Sequence, residues 1–441
     1  MACLSKYIIF MIVLLAVSPS YAEDMQLTLK DAVTRALEHS YIVKAAVHDS
    51  AGAAYQLQAA RSDRYPTLSL VAVSYAVDEI PSFTLPLPDA PSLELGTKEV
   101  YQADLKLSLP LFTGGKIDGN IDRYDAITQA ARANLKARRL ETGYQARRAY
   151  LNLMLADIAL QSVQASQKRL EIIKTDIQNL YDHGLADSTD ILETELAYQK
   201  ILLQVDYQTT MRTNSAAALN RLIGRNQAYS TIPSEPLPNP PGDRPLSHSE
   251  DDIERPELVA LRANIATAQS LSRLATADYF PSLSAYGGYS VGKPNKDMFN
   301  KDWNDYLSVG LALNWSFNLG GKKIHSKSFA DHTVGTLEMT LNETEEAFAL
   351  MANTARENLQ YTLAAYDISR REYDIARRQF ARAQNQQKAG KMSVNRLLEK
   401  EEELRIAEQA FEASKINYWL AQTDYLYAVG SDKIYGGLGD E

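Results

Sequence analysis

Two alternating apolar runs, each stopping at a Gly-Gly pair, lie 206 residues apart: LSLPLFTGGKI at 107–117 and LALNWSFNLGGKKI at 311–324. The offset from Gly115 to Gly321 recurs along the chain. Gly184 in YDHGLADSTDILETE falls opposite Gly390 in QKAGKMSVNRLLEKEEE, and Leu192, Glu193 and Glu195 fall opposite Leu398, Glu399 and Glu401. Ile223-Gly224 falls opposite Val429-Gly430, and RYPTLSL resembles YFPSLSA with prolines at 66 and 281. A chain that repeats its order of elements builds from two similar pieces. The spacing predicts a first repeat over 23–230 and a second over 254–430, with a tail at 431–441. The proline-rich stretch 231–253 reads as a linker or crossover.

Each repeat predicts a helix, two strands near its middle and a long helical hairpin. The strands are expected at about 66–76 and 100–111, then about 281–290 and 306–317; the hairpins at 115–224 and 321–429. In YQADLKLSLPLF, Leu105, Leu107, Leu109 and Leu111 share one face, and Asp104, Lys106 and Ser108 the other. In DYLSVGLALNWSF, Leu307, Val309, Leu311, Leu313, Trp315 and Phe317 alternate with small or polar residues. Period two with opposed chemistry is a half-buried strand, and also the pattern of a barrel in lipid. A soluble sandwich edge satisfies the same alternation. Four strands per chain cannot close a membrane barrel, which takes at least about eight, and lipid forbids open edges. On the membrane reading, several chains must supply one wall.

The pairs Gly114-Gly115 and Gly320-Gly321 read as strand-to-helix turns, since GGK here lacks the Ser or Thr of a phosphate loop. After each pair the chain runs for nearly 70 residues with no proline and little glycine. As helix, such a stretch extends roughly 100 Å. Gly184 and Gly390 suit tight reversals, with Ser188 and Ser393 as N-caps of the returning helices. The start MACLSKYIIFMIVLLAVSPSYA has the layout of a signal peptide, expected at 1–22. The single cysteine, Cys3, lies inside it. No later segment reaches 18 unbroken apolar residues, so a helical membrane span is not expected. A formal charge of -9 argues against a nucleic-acid partner. The six histidines, at 39, 48, 183, 248, 325 and 332, form no metal-like spacing. No enzyme, metal or cofactor is expected.

The segments LTLKDAVTRAL, RYPTLSL, LPLFTGGK, YLNLMLA, YDHGLADSTDILETE and AQTDYLYAVG, in this order, resemble the TolC-like outer-membrane efflux proteins. That resemblance implies a mostly α fold: an α-helical tunnel plus a shared 12-stranded outer-membrane β-barrel, with two structural repeats per chain. It implies a homotrimer in outer-membrane lipid, extending into the periplasm. A periplasmic adaptor and an inner-membrane transporter would complete an efflux or type I secretion machine. A periplasmic coiled-coil scaffold or adaptor without a barrel is the alternative. The resemblance further implies a periplasmic gate at the reversals. Candidate adaptor contacts are Gly184, Leu185, Gly390 and Lys391. Candidate pore residues are Asp190 and Glu193, and Arg396 and Glu399 at the same spacing in the second repeat. Relatives often carry aspartates there. Arg396 departs from that pattern, leaving open a mixed Arg/Glu ring or a closing salt-bridge set.

Overall fold

The computed structural model describes residues 25–84, 86, 91–241, 255–297, 299, 301–317 and 319–438. The expected signal peptide with Cys3, most of the 231–253 crossover and part of the proline-rich stretch 78–99 lie outside the described residues. The described chain is mostly helical and divides into two compact units: one of 1–47, 134–256 and 344–441, the other of 48–133 and 257–343.

The first unit opens with β1 (Met25–Leu27) and α1 (Leu29–His39). Thr28 caps α1, its Oγ1 accepting from the Asp31 N–H at 3.2 Å. The one helix expected at the start of the first repeat is interrupted. α1 ends at Ser40, whose Oγ accepts from the Val43 N–H and starts α2 (Tyr41–Ser62). A serine that satisfies the next helix's orphan donor breaks the first helix there.

The unit also holds α3 (Lys116–Asp182) from 134 onward, α4 (Ser188–Leu222), α6 (Lys322–Lys388) from 344 onward, and α7 (Val394–Ala428). Every bound of α6 and α7 stands 206 residues after its counterpart in α3 and α4. Strand β1 pairs in parallel with β6 (Thr231–Pro233), at the start of the stretch read as a linker or crossover.

One core joins Leu29, Val33, Tyr150, Leu219, Ile416 and Trp419. A second lies toward the hairpin turns, among Val163, Leu170, Ile173, Ile177, Ile201, Val394 and Leu397. Buried apolar residues recur at 163, 170, 173 and 177 on α3 and at 394, 397 and 404 on α7, the three-four spacing of a coiled-coil seam. Two buried cations meet backbone carbonyls, and one of them, Arg255, ends a helix. Arg147 donates to the Gly436 carbonyl at 2.8 Å. Arg255 donates to the Tyr427 and Ala428 carbonyls at 2.8 and 3.3 Å, with its guanidinium over the rings of Phe348 and Tyr427. A cation at a helix C-terminus meets the last unpaired carbonyls and the negative end of the dipole.

The second unit carries one antiparallel sheet in the order β2 (Thr67–Ala76), β5 (Glu99–Phe112), β7 (Ser282–Lys293), β8 (Asn304–Asn314). The small hairpin β3 (Ser82–Thr84) and β4 (Ser92–Glu94) interrupts the β2–β5 connection. The last strand stops at Asn314, three residues before the expected Phe317. Its partner β7 starts at Ser282, just after Pro281, which has no N–H to extend the ladder. Trp315 instead donates its Nε1–H to the Tyr279 carbonyl and lies tilted against Phe317, ring centroids 4.7 Å apart. Pro110 sits inside β5, and the pairing with β7 shifts register between Pro110 and Phe112. Proline is tolerated at such a bulge. The pairing of β2 with β5 stops at Ser108, so no β2 partner needs the missing N–H.

Helical parts of this unit pack through small residues, Ala53, Ala60, Ala126, Ala130, Ala260 and Ala263 being buried. Helix α5 (Pro256–Ala277) contributes most of its length here. At the turn after β5, a Cβ on Gly114 (φ 65°) would stand 2.7 Å from Phe280 Cβ and 2.8 Å from the Ala277 carbonyl oxygen. Only glycine fits both the left-handed backbone and that approach. The next residue, Gly115, also has positive φ (86°), as does Gly321 (70°) at the turn before α6.

Candidate functional site

Two regions carry features that a stable core does not require: the sheet of the second unit and the hairpin turns of the first. In an antiparallel sheet, directly paired residues lie on one face. The register therefore aligns rows across the strands. One face holds Leu70, Leu105, Tyr289 and Leu307 in one row, then Leu68, Leu107, Gly287 and Val309, then Leu109, Ala285 and Leu311. The opposite face holds Ser69, Lys106, Gly288 and Ser308, then Thr67, Ser108, Tyr286 and Gly310. Tyr286 lies over Gly310, where an added Cβ would stand 2.6 Å from the phenol oxygen, and Lys106 Nζ lies 5.6 Å from the Tyr286 ring.

The apolar face is bare. Leu307, Val309, Leu311 and Leu313 are each two-thirds or more exposed. Aromatic rings cluster at both ends: Tyr101 beside Trp303, and Trp315 on Phe317. The strands are 10, 14, 12 and 11 residues long, against the roughly 9–11 tilted residues that cross a bilayer. Within the described residues, β2 and β8 each have one neighbour, so both sheet edges are open. A long, flat, apolar edge strand invites pairing with another chain. No described helix is long and apolar enough to cross a membrane.

At the hairpin turns, Gly184 (φ 72°) and Gly390 (φ 68°) end α3 and α6 in the same way. The Leu185 N–H donates to the Leu180 carbonyl, and the Lys391 N–H to the Gln386 carbonyl, at 2.8 and 2.9 Å. These six-to-one bonds close the last helical turn around a left-handed glycine. Leu185 and Lys391 are exposed just beyond. The cap of α4 is Asp187, not Ser188. Its Oδ1 accepts from the Thr189 and Asp190 N–H groups, and the Asp190 carboxylate accepts from the Asp187 N–H. Those backbone donors, Asp190's and then Thr189's, hold the Asp187 carboxyl below its ordinary range. One carboxylate oxygen that receives both first-turn donors, with Asp190 answering the Asp187 N–H, outcompetes a serine hydroxyl. Asp190 is thus committed to the cap. At the other turn Ser393 stands at the cap position of α7 with no side-chain cap bond.

Contacts within the first unit set the levels of these groups. Ser162 Oγ meets the Arg405 carbonyl at 3.5 Å, Ser166 Oγ meets Glu401 at 2.8 Å, and Asp176 pairs with Lys388 at 3.7 Å. Along α3 these contacts put Gly390 beside residues 177–178, about 10 Å short of Gly184. The Lys174–Glu195 ion pair puts Asp190 near residue 179 of α3. By the same count Arg396 lies near 171, roughly 12 Å away. The structure therefore brings Asp190 with Glu193 and Arg396 with Glu399, but splits the two pairs between tiers. Arg396 and Glu399 are exposed; Asp190 and Glu193 are half-buried.

Sequence reasoning missed the most buried charge near the turns. Glu401 is 2% exposed on the α7 seam, where Val394, Leu397 and Leu404 mark the apolar positions. A glutamate at that seam spacing was the available signal. Its Oε1 accepts from Ser166 and from Arg169 Nε at 2.8 and 3.0 Å, while Arg169 Nη1 reaches Glu408 at 3.2 Å. Burial pushes the Glu401 carboxyl up, against the pull of Ser166 and Arg169. A groove of about 880 Å³ lies beside it between α4 and α7, lined by Glu193, Leu196, Leu203, Tyr207, Leu398 and Arg405 among others.

Residues 32–225 and 250–430 match the family described as outer membrane efflux protein. The chain is 25% identical over 208 residues to the outer membrane protein TolC of Vibrio cholerae, a match spanning 43% of this chain and 47% of that protein. It therefore matches just under half the length of that curated relative. The fold is similar to that of the CmeC outer membrane channel of Campylobacter jejuni, at TM-score 0.77 and 17% identity over 96% of this chain and 92% of that one. The outer membrane protein VceC of Vibrio cholerae is similar at TM-score 0.76 and 17% identity, over 91% and 96% of the two chains. The open-state MtrE outer membrane channel of Neisseria gonorrhoeae gives TM-score 0.74 and 18% identity, over 92% and 89%.

Proposed function

This chain belongs to the outer membrane efflux protein family, whose place is the bacterial outer membrane with extension into the periplasm, and we propose that it works as a homotrimeric exit channel. Three copies contribute four strands each to one 12-stranded barrel. The long hairpins of two structural repeats, 23–230 and 254–430, joined by the crossover at 231–253, form a helical tunnel below it. A periplasmic adaptor meets the turns at Gly184, Leu185, Gly390 and Lys391. An inner-membrane transporter supplies the energy and selects the cargo, in tripartite efflux or type I secretion. The tunnel conducts passively and is gated at the turns.

The observation that carries this reading is the bare apolar sheet face bounded by two open edges. Lipid tolerates such a face and forbids such edges, so closure by further copies satisfies both demands. A periplasmic scaffold would leave three rows rich in leucine and valine in water. The 206-residue agreement of helix bounds supports the two-repeat organisation. The tiering of Asp190 with Glu193 and Arg396 with Glu399 supports two charged levels near the gate instead of one mixed ring.

The test is fractionation followed by mass measurement of the intact assembly. A heat-modifiable trimer in outer-membrane fractions, giving single-channel currents in planar bilayers, is the expected result. A soluble monomer ends the proposal.

A further inference from the structure

The four candidate gate residues leave unexplained why a glutamate is buried in the seam above them. Ser166 takes the place of an apolar residue in the α3 series Val163, Ser166, Leu170, Ile173, Ile177. Glu401 does the same in the α7 series Val394, Leu397, Glu401, Leu404. The two exceptions meet each other, with Ser166 only 0% and Glu401 2% exposed. Arg169 on α3 closes the set by donating Nε–H to Glu401 and Nη1–H to Glu408, one heptad further along α7. Arg169 Nη2 is buried with no hydrogen-bond partner among the described residues. A polar pair inside an apolar seam weakens the seam but names its register, because any other alignment leaves a charge unpaired.

We infer that the Ser166–Glu401–Arg169 cluster is a register lock, which holds the turn of the second hairpin about one heptad short of the turn of the first. The competing alignment is defined by the seam itself. A slip of seven residues, about 10.5 Å, would bring the two turns nearly level. It would keep apolar residues opposite one another at most positions, with Leu397 beside Ile177 and Leu404 beside Leu170. Glu408 would take over Ser166. Glu401 would then face Ile173 with no donor. Leucine at 401 removes that penalty, so Glu401 excludes the slipped alignment. These three residues are positioning residues. They act through the turns, by setting the stagger that divides Asp190 and Glu193 from Arg396 and Glu399. The inference concerns packing inside one chain and goes beyond the channel reading.

Two cysteine pairs read the alignment in the full chain, purified in detergent and treated with a short bis-methanethiosulfonate. Asp176→Cys with Lys388→Cys reports the observed register, where the native side chains lie 3.7 Å apart. His183→Cys with Lys388→Cys reports the slipped one. In the parent the first pair should link and the second should not. Glu401→Leu should raise the ratio of second-pair to first-pair product at least fivefold. Glu401→Gln, which keeps an oxygen for Ser166 and Arg169, should stay within twofold of the parent. Glu401→Ala, a milder change that folds if the leucine variant does not, should move the ratio the same way by a smaller factor. An unchanged ratio in Glu401→Leu or Glu401→Ala overturns the lock. So does a Glu401→Gln shift as large as that of leucine. Intact mass of the same samples reads the oligomer separately, so loss of the trimer counts against the channel and not against the lock.

Discussion

Replacing Val309 by arginine tests the lipid-facing assignment directly. Val309 is the sixth of eleven residues in β8, 79% exposed, and shares a row with Leu68, Leu107 and Gly287. Its neighbour Ser308 is on the opposite face, in the row of Ser69, Lys106 and Gly288. An arginine at the bilayer midplane of a β-barrel costs about 2–4 kcal/mol, while the water-filled lumen accepts one at little cost. Three copies multiply the penalty to roughly 6–12 kcal/mol per trimer, on the additivity expected of well-separated sites. At about 1.4 kcal/mol per tenfold, each copy alone loses about 30- to 700-fold in its folding equilibrium. The assay is urea-dependent folding into lipid vesicles, read by heat-modifiable mobility. Val309→Arg should shift the transition strongly or abolish insertion, and Ser308→Arg should leave it nearly in place. Equal effects of the two would refute the face assignment, because both change the same strand by the same side chain and differ only in direction. The same two variants assayed in detergent alone should differ far less.

One buried cation of the first unit offers a stability test: Arg255→Ala should lower stability by about 2–4 kcal/mol, since two helix-end carbonyls and two ring contacts lose their partner. Arg255→Lys should recover less than half in thermal melts, because a point charge cannot stack as the planar guanidinium does. For pH, burial raises the Glu401 carboxyl above its ordinary value of 4.5, so the folded state holds the proton more tightly than the unfolded state. That contribution is fully present below the unfolded value and is lost as pH rises through the folded one. Relative to Glu401→Gln, the parent should therefore gain melting temperature on acidification through that window; a parallel pair of pH profiles would discard the assignment. Arg396→Asp should change single-channel conductance or divalent-cation block in planar bilayers, by placing a second acidic tier above Asp190 and Glu193. Unchanged current and block would remove Arg396 from the pore wall.

Much of the architecture was legible because glycine and proline act locally. Gly115, Gly184, Gly321 and Gly390 adopt the left-handed backbone that no neighbour has to impose. The 206-residue spacing between them carries through to the bounds of the long helices. Where one short polar side chain settled the outcome, prediction slipped. Ser40 divides the first helix, and Asp187 displaces Ser188 as a cap. Each depends on which donor or acceptor finds a competitor nearby, and residue type alone does not disclose that competition.

The alternation of leucine and serine announced two-faced strands and long polar helices before any partner was known, because period and turn chemistry are properties of a segment taken alone. Which strands sit side by side, and so which leucines merge into one face with open margins, came only from the folded chain. The same holds for the serine and glutamate that find each other from positions 166 and 401. Pairing partners far apart in sequence are chosen by the whole set of contacts at once, and a single buried charge then reads out which alignment won.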